Sequence, residues 1–333
     1  MLGARFEAEI REQPAAWRRV ADSDAAVRLA TALAGRDVLF LGSGSSLGVG
    51  MLGALALRRR GVRAWALAAT EARFDRAAYR EACVVALSQS GRSTDLLAAL
   101  DLLAPAPVVV ALTNDLDSPL AARADVAIDV QAGPEVAVPA SKSVTTTAAI
   151  VLWAAALAGG ATHRNATSLR ATADDVAAWL AAGEGVAAIA AAGADLAGRR
   201  ALAVVGAGYG VPIAYEVALK IKESSYVHAE GFAAGEFRHG SSAILDASSA
   251  IVGIVDDPSR AVVARPLEEA LAGGAARYVI GAPCGAVPLL GPQTAEPFNT
   301  LAWLVAGQLL ALQIGRANGV DSDAPRGLRK FVL

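Results

Sequence analysis

Lysine is nearly absent from this chain of 333 residues: it occurs four times, against 26 arginines. Histidine occurs three times and cysteine twice. The two cysteines, Cys83 and Cys284, lie far apart among apolar neighbours, which favours buried free thiols over a disulfide or a metal site. No grouping of His, Cys, Asp and Glu has the spacing of metal ligands, so neither a metal nor another cofactor is expected. Aromatics make up only 5% of the chain although hydrophobic residues make up 54%, so alanine, valine and leucine must build the core. The longest apolar run, Ala148 to Ala158, falls well short of the roughly 20 residues that span a bilayer. The N-terminus "MLGARFEAEIREQPAAW" places charges where a signal peptide needs its apolar segment. A cytoplasmic protein with no membrane association is therefore expected. Net charge is −2, and the basic cluster Arg58–Arg60 reads as the solvated end of a helix rather than a nucleic-acid footprint.

What is present is a regular alternation. The opening "RFEAEIREQPAAWRRV" reads as an amphipathic helix broken near Pro14. Apolar runs then alternate with helical patterns: "DVLFLGSGSS", "VRAWALAA", "ACVVALSQSG", "PVVVALTND" and "DVAIDVQAG", followed by a helix over Lys142 to Leu157. A second round follows, with one long helix over Asn165 to Ala197, then "RALAVVGAGYG", "SAIVGIVDD", "ARYVIGAP" and a closing helix in "PFNTLAWLVAGQLLALQI". Short apolar strands alternating with helices imply parallel sheets covered on both faces. The length favours two domains, and the pattern places two similar α/β units at about 20–160 and 165–320, with a tail "GVDSDAPRGLRKFVL".

Two strand ends in the first unit are rich in serine: "GSGSS" (Gly42–Ser46) and "SQSGRS" (Ser88–Ser93). Ligands of open parallel sheets bind beyond the carboxyl ends of the strands. Helix N-termini and serine hydroxyls there offer donors to an anion. Neither loop is a P-loop, since no Gly-Lys-Ser/Thr follows. The turn Gly42–Gly48 is one residue too long for a dinucleotide fingerprint and Gly206–Gly210 one too short. Serines that merely cap helices are the competing reading of each loop; the pair favours a phosphate monoester.

Two of the four lysines and two of the three histidines fall within "KIKESSYVHAEGFAAGEFRHG", residues 220–240. If "VPIAYEVALKIKESSYVHAE" is helical, Glu216, Lys220 and Glu223 share one face at i, i+4 and i+7. An exposed ion-paired stripe would explain that spacing. The surrounding Ile, Val, Ala and Leu instead suggest burial, where charges must be paired or functional. His239 follows a glycine-containing loop that could carry it to a cleft. Because an amine can form a Schiff base and a guanidinium cannot, Lys142, Lys220, Lys222 and Lys330 are all candidates. Lys222 points away from Lys220 and reads as structural.

These segments, with "EIREQP", "LSQSGRSTD", "GPEVAVPASKS" and "DAPRGLRK", resemble the sugar-isomerase (SIS) superfamily, and within it the isomerase half of glutamine–fructose-6-phosphate aminotransferases. The resemblance implies an α/β fold of two tandem SIS-type units, each a parallel β-sheet flanked by helices in a flavodoxin-like three-layer arrangement. It divides the chain into residues 1–164, 165–319 and a C-terminal tail, 320–333. It also implies that Ser43, Ser45, Ser46, Ser88, Gln89, Ser90, Ser93 and Val138 bind a phosphosugar. Glu223 would match the base that moves a proton between C1 and C2, and Lys220 a lysine beside it. His239 would match the ring-opening histidine, delivered to the neighbouring site of a homodimer. Lys330 would match the lysine that forms an imine with the ketose.

The chain departs from the family enzyme in several places. No glutaminase domain with its leading cysteine is present, so ammonia from glutamine is not expected. Ser241 replaces a proline, Arg92 a glutamate and Ala140 a serine. The expected reaction is deamination of glucosamine 6-phosphate to fructose 6-phosphate. A deglycase of amine-linked fructose 6-phosphates, another phosphosugar isomerase and a non-catalytic phosphosugar sensor stand as alternatives.

Overall fold

Runs such as "VLFLG" and "CVVAL" have no polar residue to turn toward water, so they fold as strands only where both faces are covered. In the computed structural model, which describes residues 1–103, 108–160, 164–285 and 287–330, every residue of both runs is buried. The chain forms two compact units interleaved in sequence. The first comprises Ala15–Glu135, Lys142–Ala171 and Arg329–Leu333; the second comprises Met1–Pro14, Val136–Ser141 and Thr172–Leu328. Among the described residues, no single helix is long and apolar enough to cross a membrane.

The helices, in chain order, are α1 (Ala4–Asp22), α2 (Ala25–Leu33), α3 (Ser45–Arg58), α4 (Ala72–Asp75), α5 (Thr94–Leu103), α6 (Pro119–Arg123), α7 (Lys142–Ala158), α8 (Arg164–Ala182), α9 (Glu184–Leu196), α10 (Gly210–Ser225), α11 (Ala234–Phe237), α12 (Arg260–Ala272) and α13 (Asn299–Ala317). Strands β1 (Val38–Gly42), β2 (Ala64–Ala68), β3 (Cys83–Leu87), β4 (Val109–Thr113) and β5 (Val126–Asp129) form the first unit's sheet, in the order β2-β1-β3-β4-β5. The second sheet holds β6 (Ala201–Gly206), β7 (Ala229–Ala233), β8 (Ser249–Val255), β9 (Ala276–Gly281) and β10 (Leu289–Leu290), in the order β10-β9-β8-β6-β7. All pairings are parallel. Counted from its own first strand, each sheet therefore has the order 2-1-3-4-5, the flavodoxin-like winding. The repeat expected from sequence is a repeat of topology.

Four local expectations are corrected. The helix at the N-terminus is not broken at Pro14: α1 runs through it. The Ile10 carbonyl, which proline leaves without its helical donor, accepts a hydrogen bond from the Gln13 side-chain amide at 3.1 Å. The single helix expected over 165–197 is two, α8 and α9, bent by 69° at Gly183, whose φ of +79° no helix interior adopts. Helix α10 stops at Ser225 because Tyr226 turns left-handed, φ +59°. The residues after it, read as a loop, are the edge strand β7 and the short helix α11. Cys83 and Cys284 are buried free thiols as expected, and burial pushes the Cys83 thiol up to about 11.

The second unit is held together by close approach of helix backbones. Along α13, Gly307 and Gly315 both face α10: a Cβ on Gly307 would lie 2.3 Å from the Val217 side chain, and one on Gly315 2.2 Å from the Ser224 carbonyl oxygen. A Cβ on Gly231 of β7 would likewise meet the Tyr215 backbone at 2.6 Å. These glycines set the seat of α10 between β7 and α13. Because the obstacle at Gly315 is backbone, which cannot rotate away, Gly315→Ala is expected to destabilise the protein by about 1–3 kcal/mol, the usual range for overpacking. A lower midpoint of urea denaturation at unchanged slope would show it; an unchanged midpoint would mean that α13 shifts without cost.

Candidate functional site

In the first sheet the winding reverses direction at β1 and β3, which lie side by side with Leu41 opposite Ala86. The two serine loops leave these adjacent strand ends, the position where open α/β sheets bind ligands. In the first loop Gly44 takes φ +56°, and a Cβ on Gly42 would lie 2.7 Å from that of Ser46. The helix that follows has no side-chain cap. Ser43 is exposed, Ser45 and Ser46 are half-buried, and none of the three hydroxyls makes a hydrogen bond among the described residues. Helix capping, the competing reading, does not account for them.

The second loop spends part of its hydroxyls on its own shape. Ser88 Oγ accepts the Gly91 N–H at 3.1 Å, and Ser90 Oγ accepts the Arg92 N–H at 3.2 Å. Each hydroxyl keeps its proton to donate. Gly91, at φ +62°, is pressed so close that a Cβ there would sit 2.0 Å from Ser118 Oγ. Gln89 and Ser93 are half-buried on the same turn. Arg92 points into an exposed ion pair with Asp115 at 2.8 Å.

The first unit also holds Lys330. Its Nζ donates to Glu135 Oε2 at 2.9 Å, and Glu135 additionally accepts from the Ser143 N–H at 3.0 Å and the Ser143 hydroxyl at 2.7 Å. The Glu135 side chain is fully buried and that of Lys330 is 16% exposed. Burial alone would raise the Glu135 carboxyl, but the Lys330 charge, its hydrogen bond and the two from Ser143 hold it below the usual carboxylate value. Lys142, also buried, donates to the Pro134 carbonyl at 2.5 Å.

In the second unit the face expected on α10 is real. Lys220 is 1% exposed, lies 3.6 Å from Glu216 Oε1 and donates to Glu223 Oε2. The Glu216 side chain is 4% exposed and that of Glu223 21%. The stack thus runs from a buried carboxylate through a buried ammonium to a carboxylate that meets solvent. Glu223 lies in the last turn of α10, just before Tyr226, whose ring the Arg326 guanidinium covers at 4.6 Å and whose hydroxyl accepts the Arg326 N–H. His239 is exposed on the turn after α11. Its backbone N–H donates to the Glu236 carbonyl at 2.9 Å, while its imidazole makes no hydrogen bond among the described residues. Val138 and Ala140 are half-buried in the segment Val136–Ser141. The described residues contain no group of three or more His, Cys, Asp or Glu that could hold a metal.

Comparison with known proteins gives these features a family. The SIS domain model matches residues 34–158 and 195–282. The chain belongs to the SIS domain family. The two matched SIS segments carry the whole first sheet and strands β6 to β9 of the second. A glutamine–fructose-6-phosphate aminotransferase (isomerizing) of Sulfolobus acidocaldarius is 31% identical over 302 residues, covering 89% of this SIS chain and 50% of the relative. The chain spans about half the length of the curated relatives it matches. Among solved structures, the C-terminal domain of glucosamine-fructose-6-phosphate aminotransferase from Francisella tularensis superposes with a TM-score of 0.82 at 24% identity, over 96% of this chain and 98% of that one. Glucosamine-6-phosphate deaminase from Thermotoga maritima superposes with a TM-score of 0.83 at 20% identity, over 99% of each chain. At such identities the structures speak for the SIS fold.

The residue that sequence reasoning missed is Glu135. It lies inside the quoted segment "GPEVAVPASKS", yet its partner is 195 positions away in the tail, where no local pattern reaches. Its depressed carboxyl makes the Lys330 pair a pH-dependent latch. The stabilisation is present above the unfolded carboxyl value, about 4.3, and is lost as pH falls through the lower folded value. Glu135→Gln fixes the neutral form at pH 7. It is expected to speed limited trypsin cleavage after Arg326 and Arg329 several-fold; cleavage at the wild-type rate would mean that the pair does not hold the tail.

Proposed function

We propose that this protein is an amino-sugar phosphate deaminase and isomerase, converting glucosamine 6-phosphate and water to fructose 6-phosphate and ammonia without hydrolysing glutamine. The observation that carries the reading is the stack on α10, in which buried Lys220 holds the solvent-meeting carboxylate of Glu223. A carboxylate aligned by an ammonium yet open to solvent suits a base that takes a proton from C2 and returns it to C1.

The remaining roles follow the same chemistry. Ser43, Ser45, Ser46, Ser88, Gln89, Ser90 and Ser93 bind the phosphosugar, supported by hydroxyls that no helix cap consumes, with Val138 as an apolar contact. His239, whose imidazole has no partner among the described residues, acts in ring opening, in the neighbouring site of a homodimer. Lys330, once its proton has gone to solvent, adds to C2 of the fructose imine and expels ammonia, and water then hydrolyses the lysine imine to fructose 6-phosphate. Between turnovers the amine rests against Glu135. The tail 320–333 is on this reading a functional element beside units 1–164 and 165–319. The family relationship supports a phosphosugar substrate, since the curated relatives and several structural neighbours are named for reactions of sugar 6-phosphates. The protein from Thermotoga maritima is named for the proposed deamination.

The test is to incubate the protein with glucosamine 6-phosphate and measure fructose 6-phosphate and ammonia together. Equal release of both is expected. Glu223→Gln should lower kcat by about 10²–10⁴-fold, the usual contribution of a positioned base, while KM changes little. Interconversion of ketose and aldose phosphates without ammonia release would replace the deaminase by an isomerase. Binding of phosphosugars without any turnover would leave a sensor.

A further inference from the structure

The two sheets share one winding, so the second unit has its own crevice beyond the carboxyl ends of its strands. Where the first unit ends β3 in "SQSGRS", the corresponding strand β8 ends in "DDPSR", Asp256 to Arg260. A cavity of about 350 Å³ opens here, within the range of about 300–1,000 Å³ for small-molecule sites. It is bounded by the ends of β8 and β9, the loop 292–296 and the first turn of α13.

Its polar lining is Asp256, Asp257, Gln293, Thr294, Glu296 and Asn299, and among the described residues no lysine, arginine or histidine lines it. Several of these groups are fixed in place. Asp256 is 7% exposed; its Oδ1 accepts the Ser259 N–H at 2.7 Å, and its own N–H donates to Ser259 Oγ at 3.0 Å. Gln293 donates to the Gly281 carbonyl. Asn299 accepts the Thr300 N–H at 2.9 Å, which leaves its amide to donate. The Thr294 hydroxyl is buried without a partner among the described residues. Gly281, at φ +103°, clears the space between Val255 and Trp303, since a Cβ there would lie 2.2 Å from the Val255 oxygen and 2.8 Å from Trp303 Nε1.

Charge decides the ligand. Asp257 is matched by its ion pair with Arg260, which leaves the carboxylates of Asp256 and Glu296. The N-termini of α12 and α13 each contribute only about half a positive charge, so two full negative charges outweigh them and a phosphate is repelled. We infer that this second crevice binds a small unphosphorylated polyhydroxyl amine, of which free glucosamine is the simplest example. Its ammonium would meet Asp256 and Glu296, and its hydroxyls Asn299, Gln293 and Thr294. The inference does not rest on the proposed reaction.

Isothermal titration of the intact protein with free glucosamine, N-acetylglucosamine and glucose 6-phosphate tests it. Glucosamine is expected to bind the wild type and the Ser88→Ala/Ser90→Ala variant alike, and at least tenfold more weakly to Glu296→Gln and to Asp256→Asn. N-acetylglucosamine, which lacks the charge, should bind at least tenfold more weakly than glucosamine. Glu296 is exposed, so its variant should fold even if Asp256→Asn does not. No heat with glucosamine at millimolar concentration, equal affinity for N-acetylglucosamine, undiminished affinity in Glu296→Gln, or loss of binding in the serine variant would each overturn the assignment.

Discussion

A buried ammonium cannot be left alone, and the second unit is arranged around one. Lys220 is 1% exposed, and moving an unpaired charge into such a place would cost more than a whole domain's stability. Glu216 and Glu223 offset that cost from the same helix face, one turn on either side. Breaking a buried pair of this kind typically costs about 3–5 kcal/mol, because the orphaned charge stays behind. Burial in turn demands that α10 be enclosed, which the glycines of α13 and β7 allow by letting backbones approach within van der Waals limits. The carboxylate of Glu223 is thereby held at the helix end, with its geometry fixed from below by an ammonium that has nowhere else to go.

The first unit uses the same pairing differently. Lys330 meets a carboxylate that is itself fully buried, while the lysine remains partly accessible. Here the fixed member is Glu135, locked by Ser143 on the first turn of α7, and the lysine is the member that can leave. The scarcity of lysine thus acquires a structural meaning. Lys142, Lys220 and Lys330 all point inward onto oxygen atoms, and only Lys222 is exposed, whereas arginines occupy the surface ion pairs with Asp37, Asp101, Asp115 and Asp246. An ammonium is compact and can release its proton; a guanidinium is planar and cannot. A chain that reserves lysine for buried or reactive positions loses nothing by using arginine elsewhere.

What could be read from the sequence was what local pattern encodes. The fully buried strands β1, β3, β6 and β8 were legible because a short apolar run ending in a turn of polar residues, glycine or proline has few other solutions. The face formed by Glu216, Lys220 and Glu223 was legible because helical period alone brings i, i+4 and i+7 together. Strand β7 was not, since "AEGFA" is a half-exposed edge strand with glycine and glutamate in it and no alternation to betray it. The break at Gly183 was hidden in a long alanine-rich helical pattern, where a single glycine is ordinarily tolerated. Pro14 misled because its rescue depends on one side chain, Gln13, finding the orphaned carbonyl. Glu135 was beyond reach because its partner lies in the tail.

The doubled winding shows where chemistry enters such a chain. The serine loops of the first sheet meet between β1 and β3, whereas the cavity of the second lies between β8 and β9, the counterparts of β3 and β4. The fold thus supplies two crevices and decides the chemistry of neither. Loops decide it. In the first unit, glycine and serine at the ends of β1 and β3 present small donors and no formal negative charge. In the second, a glycine turn one residue short of the dinucleotide fingerprint stands at the end of β6, and aspartates stand at the end of β8. A duplicated unit that kept its serine loops would compete for the same phosphorylated ligand. On the readings proposed above, carboxylates in place of hydroxyls remove that competition, because the repulsion between like charges acts before any contact is made. The two units share one strand order while, on the readings proposed above, their loops address ligands of opposite charge.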